Sequence, residues 1–320
     1  RKFMIDSVLF WAKEYKIGGF RFDLMGLHDL ETIELLTKEL KKINKNILVY
    51  GEPWCGGGSN LPFEKSCNQA NLAKFNDFGG FNDKIRESLM AGWVLNTSTK
   101  ASDTDLCHII SGILGSLDYK NADVSNPIKI INYVSCHDNY TLVDRIKKCG
   151  INDEKIVKKM AMLANSVIFT SNGISFMLAG EEFLRTKGGN GNSYNAPYSV
   201  NAIDYSLKIK NFEVFKNYQK LIKFKQSVSD LALKNGENTK LNIKISNKGN
   251  VISYELKDTF SGRTYQIIHS NGFDEKTLGS VNLMDYKLYL DTLTPNKKLS
   301  TYTKNTPYET IIAYKEKSAS

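Results

Sequence analysis

Three acidic residues follow hydrophobic segments that predict β-strands, and their positions suggest chemistry. Asp23 ends the run Gly-Gly-Phe-Arg-Phe-Asp, Glu52 ends Ile-Leu-Val-Tyr-Gly-Glu, and Asp138 ends Ile-Asn-Tyr-Val-Ser-Cys-His-Asp. Carboxylates at the carboxyl ends of parallel strands are typical of active sites in α/β barrels. Two carboxyl groups on either side of one bond are also the usual groups that cleave a glycosidic linkage. The pattern therefore predicts a sugar-cleaving site.

Asp23 shares a strand face with Arg21, because alternate side chains of a strand point the same way. If Phe20 and Phe22 pack outward on helices, Arg21 and Asp23 point into the mouth of the barrel. A nearby guanidinium favours the ionised carboxylate, which is the form that a nucleophile at an anomeric carbon needs. The alternative interpretation is a buried structural ion pair.

Glu52 is followed by Pro53 and Trp54. A large aromatic neighbour can exclude water from a carboxyl group and favour the protonated form that a general acid needs. The indole of Trp54 also offers an apolar face on which a sugar ring can stack. The alternative is a solvated glutamate in a loop.

His137, Asp138 and Asn139 lie beyond the predicted strand at 130–135. An imidazole beside a carboxylate suits hydrogen bonds to adjacent sugar hydroxyls, although a lone histidine is also often purely structural. A metal site is not favoured, because no second histidine is placed to complete it. The other histidines are His28, His108 and His269.

The segments around these residues alternate between helix and strand. This alternation with short connections is typical of a parallel α/β sheet. The predicted helices are 3–16, 29–43, 81–93, 105–117, 153–171 and 211–227. The predicted strands are 20–24, 47–52, 130–135 and 174–178.

Near residue 232 the pattern changes to short alternating segments separated by turn residues, which predicts a small antiparallel β-sandwich. These segments are 241–245, 251–256, 264–269, 286–290 and 310–314. We therefore expect an α/β domain over 1–232 and a β-sandwich over 233–320.

The first domain offers four or five strands, whereas a closed (β/α)8 TIM barrel needs eight. We therefore expect the C-terminal part of such a barrel, with three strands missing ahead of Arg1. An incomplete barrel exposes sheet edges, so the chain alone is expected to be inactive. The missing N-terminal part of the same enzyme is its expected partner.

Charge and cysteine content argue against several other classes of function. The net charge of +9 comes mostly from dispersed lysines, which do not form the clustered basic face of a nucleic-acid-binding protein. No apolar run is long enough to span a membrane. The five cysteines, an odd number with no CxxC pair, favour neither a disulfide framework nor a zinc site. Reduced thiols fit a cytoplasmic protein best, and a secreted or cell-surface location stays open.

Several motifs together resemble the α-amylase family of glycoside hydrolases and, within it, the type I pullulanases, which cleave α-1,6 branch linkages. They are Gly-Phe-Arg-Phe-Asp-Leu-Met-Gly (19–26), Val-Tyr-Gly-Glu-Pro-Trp (49–54), Tyr-Val-Ser-Cys-His-Asp-Asn (133–139), Gly-Glu-Glu-Phe-Leu-Arg-Thr-Lys (180–187) and Asn-Ser-Tyr-Asn (192–195). The continuation Leu-Met-Gly-Leu-His-Asp (24–29) favours a pullulanase over an α-amylase, and the two segments after residue 179 resemble the pullulanase loop after the eighth strand. The resemblance covers residues 1 to about 230.

The resemblance implies a role for each site residue. Asp23 would be the nucleophile, Glu52 the acid and base, and the two carboxyl groups would lie about 5 Å apart as in retaining enzymes. Asp138 and His137 would bind ring hydroxyls. Arg21 would keep Asp23 ionised. The subsites for the leaving group would be shaped by Trp54, Asn192, Tyr194 and Asn195.

The substrate implied is an α-glucan such as pullulan, glycogen or a starch-derived glucan, and no cofactor is required. Any structural calcium ion would lie in the missing part. Tyr198 and Tyr205 stand where the family suggests an aspartate and a tryptophan, which leaves subsite detail open. The alternatives are an isoamylase-like or glucan branching enzyme, or a glucan-binding barrel without catalysis.

Overall fold

The structure is a computed structural model of the 320-residue chain. It describes residues 1–72, 74, 77–95, 101–115, 129–228, 231, 243–248, 250–271, 281–294, 299 and 307–317.

The first part of the chain forms a parallel sheet of five strands in the order β1-β2-β3-β4-β5. Phe20 lies opposite Val49 across β1 and β2, and Gly80 lies opposite Ile130 across β3 and β4. A closed (β/α)8 barrel has eight parallel strands. The five strands here form part of such a barrel, which confirms the predicted partial α/β barrel. The strands are β1 (Gly19–Phe22), β2 (Leu48–Gly51), β3 (Gly79–Phe81), β4 (Ile130–Asn132) and β5 (Ile174–Ser175).

Helices connect and cover these strands. They are α1 (Lys2–Glu14), α2 (Leu30–Ile43), α3 (Gln69–Leu72), α4 (Asp83–Glu87), α5 (Asp103–Ile113), α6 (Leu142–Lys148), α7 (Glu154–Thr170), α8 (Tyr198–Asn201), α9 (Ser206–Lys210) and α10 (Phe212–Ser227). A π-helical segment, Ser88–Val94, extends α4.

The strand β3 is absent from the sequence prediction, and the predicted helix over 81–93 wrongly includes Phe81. The segment Gly-Gly-Phe lacks the β-branched residues that mark a strand, yet Gly79 and Gly80 pair with β2. The helix begins only at Asp83, because the side chain of Asn82 accepts a hydrogen bond from Ile85 N at 3.3 Å and caps it. The predicted strands 130–135 and 174–178 are also shorter in the structure, where β4 and β5 end at Asn132 and Ser175.

The two faces of β1 separate as the sequence alternation predicts. Phe20 and Phe22 pack against the core formed with α1 and α2, which includes Ile33 and Leu36. Arg21 therefore points to the opposite face of the sheet.

The described residues of the second part of the chain form an antiparallel sheet in the order β6-β7-β8-β10-β9, close to the predicted strand positions. One of its faces packs on helices of the first part, since Tyr254 and Ile267 share a core with Val214 and Phe224 of α10. The predicted domain boundary at 232 lies outside the described residues. The strands are β6 (Ile243–Lys248), β7 (Val251–Lys257), β8 (Thr264–Ser270), β9 (Lys287–Asp291) and β10 (Glu309–Lys315).

A buried polar cluster joins α7 to this sheet. The ring nitrogens of His269 lie 3.1 Å from Thr170 Oγ1 and 2.9 Å from Thr310 Oγ1. The Tyr254 hydroxyl donates to the Thr170 carbonyl oxygen at 3.1 Å. Burial lowers the pKa of His269 to about 3, so the imidazole is neutral at this junction.

Candidate active site

The three predicted acids all follow strands of the parallel sheet at their carboxyl ends. Asp23 comes directly after β1, and Glu52 directly after the adjacent strand β2. Asp138 lies in the loop that joins β4 to α6. Carboxyl ends of parallel strands share one edge of the sheet, so the fold places the three acids on the same side of the barrel.

One guanidinium joins Asp23 to Glu52. Arg21 Nη1 lies 2.8 Å from Asp23 Oδ1, and Arg21 Nη2 donates to Glu52 Oε1. Glu52 is buried at 3% exposure, whereas the Asp23 side chain is 69% exposed. The structure therefore brings an exposed carboxylate and a buried one to the same guanidinium. Their carboxyl separation of about 5 Å remains a prediction.

The turn after β1 holds the other oxygen of Glu52. Leu24 adopts a left-handed backbone with φ of 41°, and its N–H donates to Glu52 Oε2 at 2.9 Å. Gly26 N donates to the carbonyl oxygens of Glu52 at 3.1 Å and Trp54 at 3.0 Å. A Cβ at Gly26 would lie 2.6 Å from the carbonyl carbon of Trp54. This turn and the segment 52–54 thus fit only with glycine between them.

An aromatic cluster forms the floor beneath these groups. The Phe81 ring has its centroid 5.6 Å from that of Tyr50, 4.9 Å from Tyr133 and 5.2 Å from Phe176. The Trp54 ring lies 6.4 Å from Phe81, and Arg21 Cζ lies 6.0 Å from the same ring. Phe81 belongs to β3, so the strand missed in the sequence supplies the centre of this floor.

Asp138 pairs with its neighbour His137, with Nε2 and Oδ2 3.5 Å apart and both side chains about half exposed. Burial raises the pKa of the adjacent Cys136 thiol, and the charges of Asp138 and Glu52 act in the same direction. The accessible His137–Asp138 pair is suited to binding hydroxyl groups.

The loop carrying the remaining predicted residues lies beside that pair. Ser193 accepts a hydrogen bond from Lys187 at 3.0 Å, and the same ammonium group donates to the carbonyl oxygen of His137 at 3.1 Å. Tyr194 in this loop is 80% exposed, and its neighbours Asn192 and Asn195 are exposed as well. Their roles at the subsites stay predictions, as does that of Trp54.

The sequence alone predicts no function for Lys187, although this residue lies in a motif that carries the resemblance. A lysine within a polar loop gives no sign that it is buried, and only the fold reveals its contacts. The sequence pattern does not identify Phe81 and Gly26 as part of the site either. Their importance comes from packing between segments that are distant in the chain.

Among the described residues, no group of three or more histidine, cysteine, aspartate or glutamate side chains is arranged to hold a metal ion. No described helix combines the length and apolar character needed to cross a bilayer. The five cysteines are free thiols.

Comparison with known proteins identifies similar chains. No protein-family model matches this sequence. The pullulanase of Bacillus subtilis (strain 168) is 28% identical over 306 residues, covering 91% of this chain and 42% of that protein. The structure of a pullulanase from Bacillus acidopullulyticus matches with a TM-score of 0.78 and 31% identity, covering 98% of this chain and 40% of the other.

The structure of pullulanase type I from Bacillus subtilis str. 168 complexed with maltose matches with a TM-score of 0.82 and 26% identity, covering 98% of this chain and 46% of the other. The chain thus spans less than half the length of these relatives. The parallel sheet with its strand-end carboxylates and these matches show a partial α/β barrel with a β domain that is similar to the pullulanases. The chain is a type I pullulanase-like polypeptide.

Proposed function

We propose that this chain carries the catalytic acids of a retaining glycoside hydrolase that cleaves α-1,6 branch linkages in α-glucans. The contact of one guanidinium with both Asp23 and Glu52 carries this proposal. It is supported by the pullulanase identity of the relatives, one of which has been seen with maltose bound. Hydrolysis at a carboxylate pair requires no metal or organic cofactor.

In the first step, Asp23 attacks the anomeric carbon while the bond to the leaving oxygen breaks and Glu52 supplies the proton to that oxygen. The product of this step is a glycosyl ester on Asp23. In the second step, a water molecule attacks the same carbon, Glu52 removes its proton, and Asp23 leaves as a carboxylate. Two displacements at one carbon retain its configuration.

Asp138 and His137 would hold hydroxyl groups of the sugar that reacts, in a position to stabilise the positive charge that develops on its ring. Trp54 would offer a stacking face for a sugar. The exposed loop with Asn192, Tyr194 and Asn195 would contact the leaving chain.

We further propose that another polypeptide segment completes the barrel. The strands β1 and β5 form the two ends of the described sheet, and the relatives are more than twice as long as this chain. Unpaired strand edges and partly covered cores favour association with the missing strands. We use the term complete enzyme for residues 1–320 together with the segment that supplies those strands.

The products formed from pullulan test the proposed function. The complete enzyme should release maltotriose, whereas residues 1–320 alone should release none. A branching enzyme would transfer chains without net hydrolysis, and a glucan-binding barrel would bind pullulan without turnover. Either result with the complete enzyme would refute α-1,6 hydrolysis.

A further inference from the structure

Lys187 connects the two loops that lie beside the candidate site. Its side chain is buried, at 4% exposure. The ammonium group donates to the carbonyl oxygens of His137 at 3.1 Å and Asn139 at 2.6 Å, and to Ser193 Oγ at 3.0 Å. An ammonium group has three N–H donors, so each of them has an acceptor here.

Asp144, in the first turn of α6, strengthens the same connection. Its carboxylate accepts hydrogen bonds from Lys187 N at 2.7 Å and from the Thr186 hydroxyl. The Tyr140 ring also packs so closely on Gly191 that a Cβ there would lie 2.8 Å from the ring. Burial lowers the pKa of Lys187, and the charges of Asp144 and Asp138 oppose that shift. The two loops therefore form one packed unit around the lysine.

The carbonyl groups that Lys187 holds lie on either side of Asp138. Asn139 has a left-handed backbone with φ of 59°, a region that asparagine adopts more readily than most residues other than glycine. The hydrogen bond from Lys187 to Asn139 O helps to hold this turn. Together with the bond to His137 O, it fixes the backbone that orients the Asp138 carboxylate.

We propose that Lys187 is a positioning residue that holds Asp138 for transition-state stabilisation and keeps the 188–195 loop against the site. This inference rests on the proposed function, since it assigns Asp138 to the reacting sugar. A displacement of about 1 Å at a catalytic group can reduce the rate by about a hundredfold. Loss of the ammonium group should therefore lower turnover although Lys187 itself touches no substrate.

The experiment compares Lys187→Met with Lys225→Met in the complete enzyme. Lys225 is a matched control, because its ammonium group also donates to two backbone carbonyl oxygens, those of Ser171 and Gly173 (the latter at 2.9 Å). It lies on α10, outside the loops of the site. Hydrolysis of pullulan is measured together with backbone hydrogen exchange by mass spectrometry.

We expect Lys187→Met to reduce kcat by about ten- to a hundredfold, with a smaller change in KM because Asp138 acts mainly in the transition state. Exchange should accelerate in peptides covering 136–141 and 188–195 and remain unchanged elsewhere. Lys225→Met should leave kcat, KM and exchange in those two segments unchanged. Lys187→Arg, which keeps the charge and its donors, should recover part of kcat.

Wild-type kcat together with unaltered exchange in both segments of Lys187→Met would overturn the proposal. If Lys187→Met does not fold, Ser193→Ala removes one acceptor and should accelerate exchange over 188–195 and lower kcat severalfold. Unchanged exchange and kcat in that variant would then refute the inference. If the wild-type enzyme hydrolyses no pullulan, the proposed function fails. The hydrogen-exchange data still decide in that case whether Lys187 orders the backbone of the 136–141 segment.

Discussion

Glu52 accepts a hydrogen bond from Arg21, the same residue whose other terminal nitrogen lies 2.8 Å from Asp23. The sequence predicts contact of Arg21 with Asp23 alone, whereas in the structure Arg21 forms hydrogen bonds with both Asp23 and Glu52. The second oxygen of Glu52 accepts from Leu24 N at 2.9 Å. Each carboxylate oxygen has two lone pairs, so Glu52 can hold a proton for the leaving oxygen while both donors stay in place.

Replacing Asp23 by asparagine should abolish turnover and preserve binding. Asparagine has nearly the same shape but cannot form the glycosyl ester, so kcat on pullulan should fall on the order of 10⁴-fold or more, the scale for removal of a nucleophile. The dissociation constant for maltotriose, measured by calorimetry, should change only severalfold. Asp77→Asn, which alters an exposed pair with Lys41, is the control and should keep full activity. Substantial hydrolysis by Asp23→Asn would exclude this residue as nucleophile.

Replacing Arg21 by methionine should destabilise the complete enzyme, because Glu52 remains buried after it loses a charged partner. We expect about 2 to 3 kcal/mol, somewhat below the cost for a fully buried pair, since the Arg21 side chain is 26% exposed. The measurement is the free energy of unfolding from urea titration. Arg263→Met breaks the exposed pair with Glu316 and should cost about 1 kcal/mol or less. Equal losses in the two variants would argue against a structural role for the Arg21–Glu52 contact.

Replacing Gly26 by alanine should disturb the site through packing alone. The added Cβ would collide with the Trp54 backbone, and overpacking of this kind costs about 1 to 3 kcal/mol. We expect a lower melting temperature and a lower kcat/KM, because the 24–26 turn must move away from Glu52. At Gly18 a Cβ meets nothing within 4 Å, so Gly18→Ala should change stability by no more than about 0.5 kcal/mol. A Gly26→Ala variant that behaves like Gly18→Ala would contradict the close fit.

The sequence predicts those parts of the fold that have regular patterns. Alternation in β1 correctly separates Arg21 from Phe20 and Phe22, and helical periodicity locates α2, α7 and α10 to within one or two residues. Local patterns miss β3, because its two glycines owe their strand conformation to pairing with β2 and β4. They also miss the contact between Arg21 and Glu52, which joins residues far apart in the chain and exists only after β1 and β2 pair.

The neutral His269 at the junction with the β-sheet should make stability depend on pH. Burial lowers its pKa from an ordinary value of 6.5 to about 3, so below pH 6.5 the unfolded chain binds a proton that the folded chain does not. Acidification between these values therefore destabilises the folded state by about 1.4 kcal/mol per pH unit from this group. The test compares unfolding free energies of wild type and His269→Gln at several pH values. The variant lacks this contribution, so its stability should fall less steeply from pH 6.5 to 4, and parallel curves would refute the assignment.

The proposed double displacement is tested most directly by the mass of the peptide that contains Asp23 after reaction with an α-maltosyl fluoride. The complete enzyme carries Glu52→Gln in this experiment, because fluoride leaves without a general acid whereas hydrolysis of the ester then lacks its base. We expect a maltosyl adduct that accumulates on Asp23 and is absent from Asp23→Asn. An adduct on a different residue, or no adduct while fluoride is still released, would contradict it.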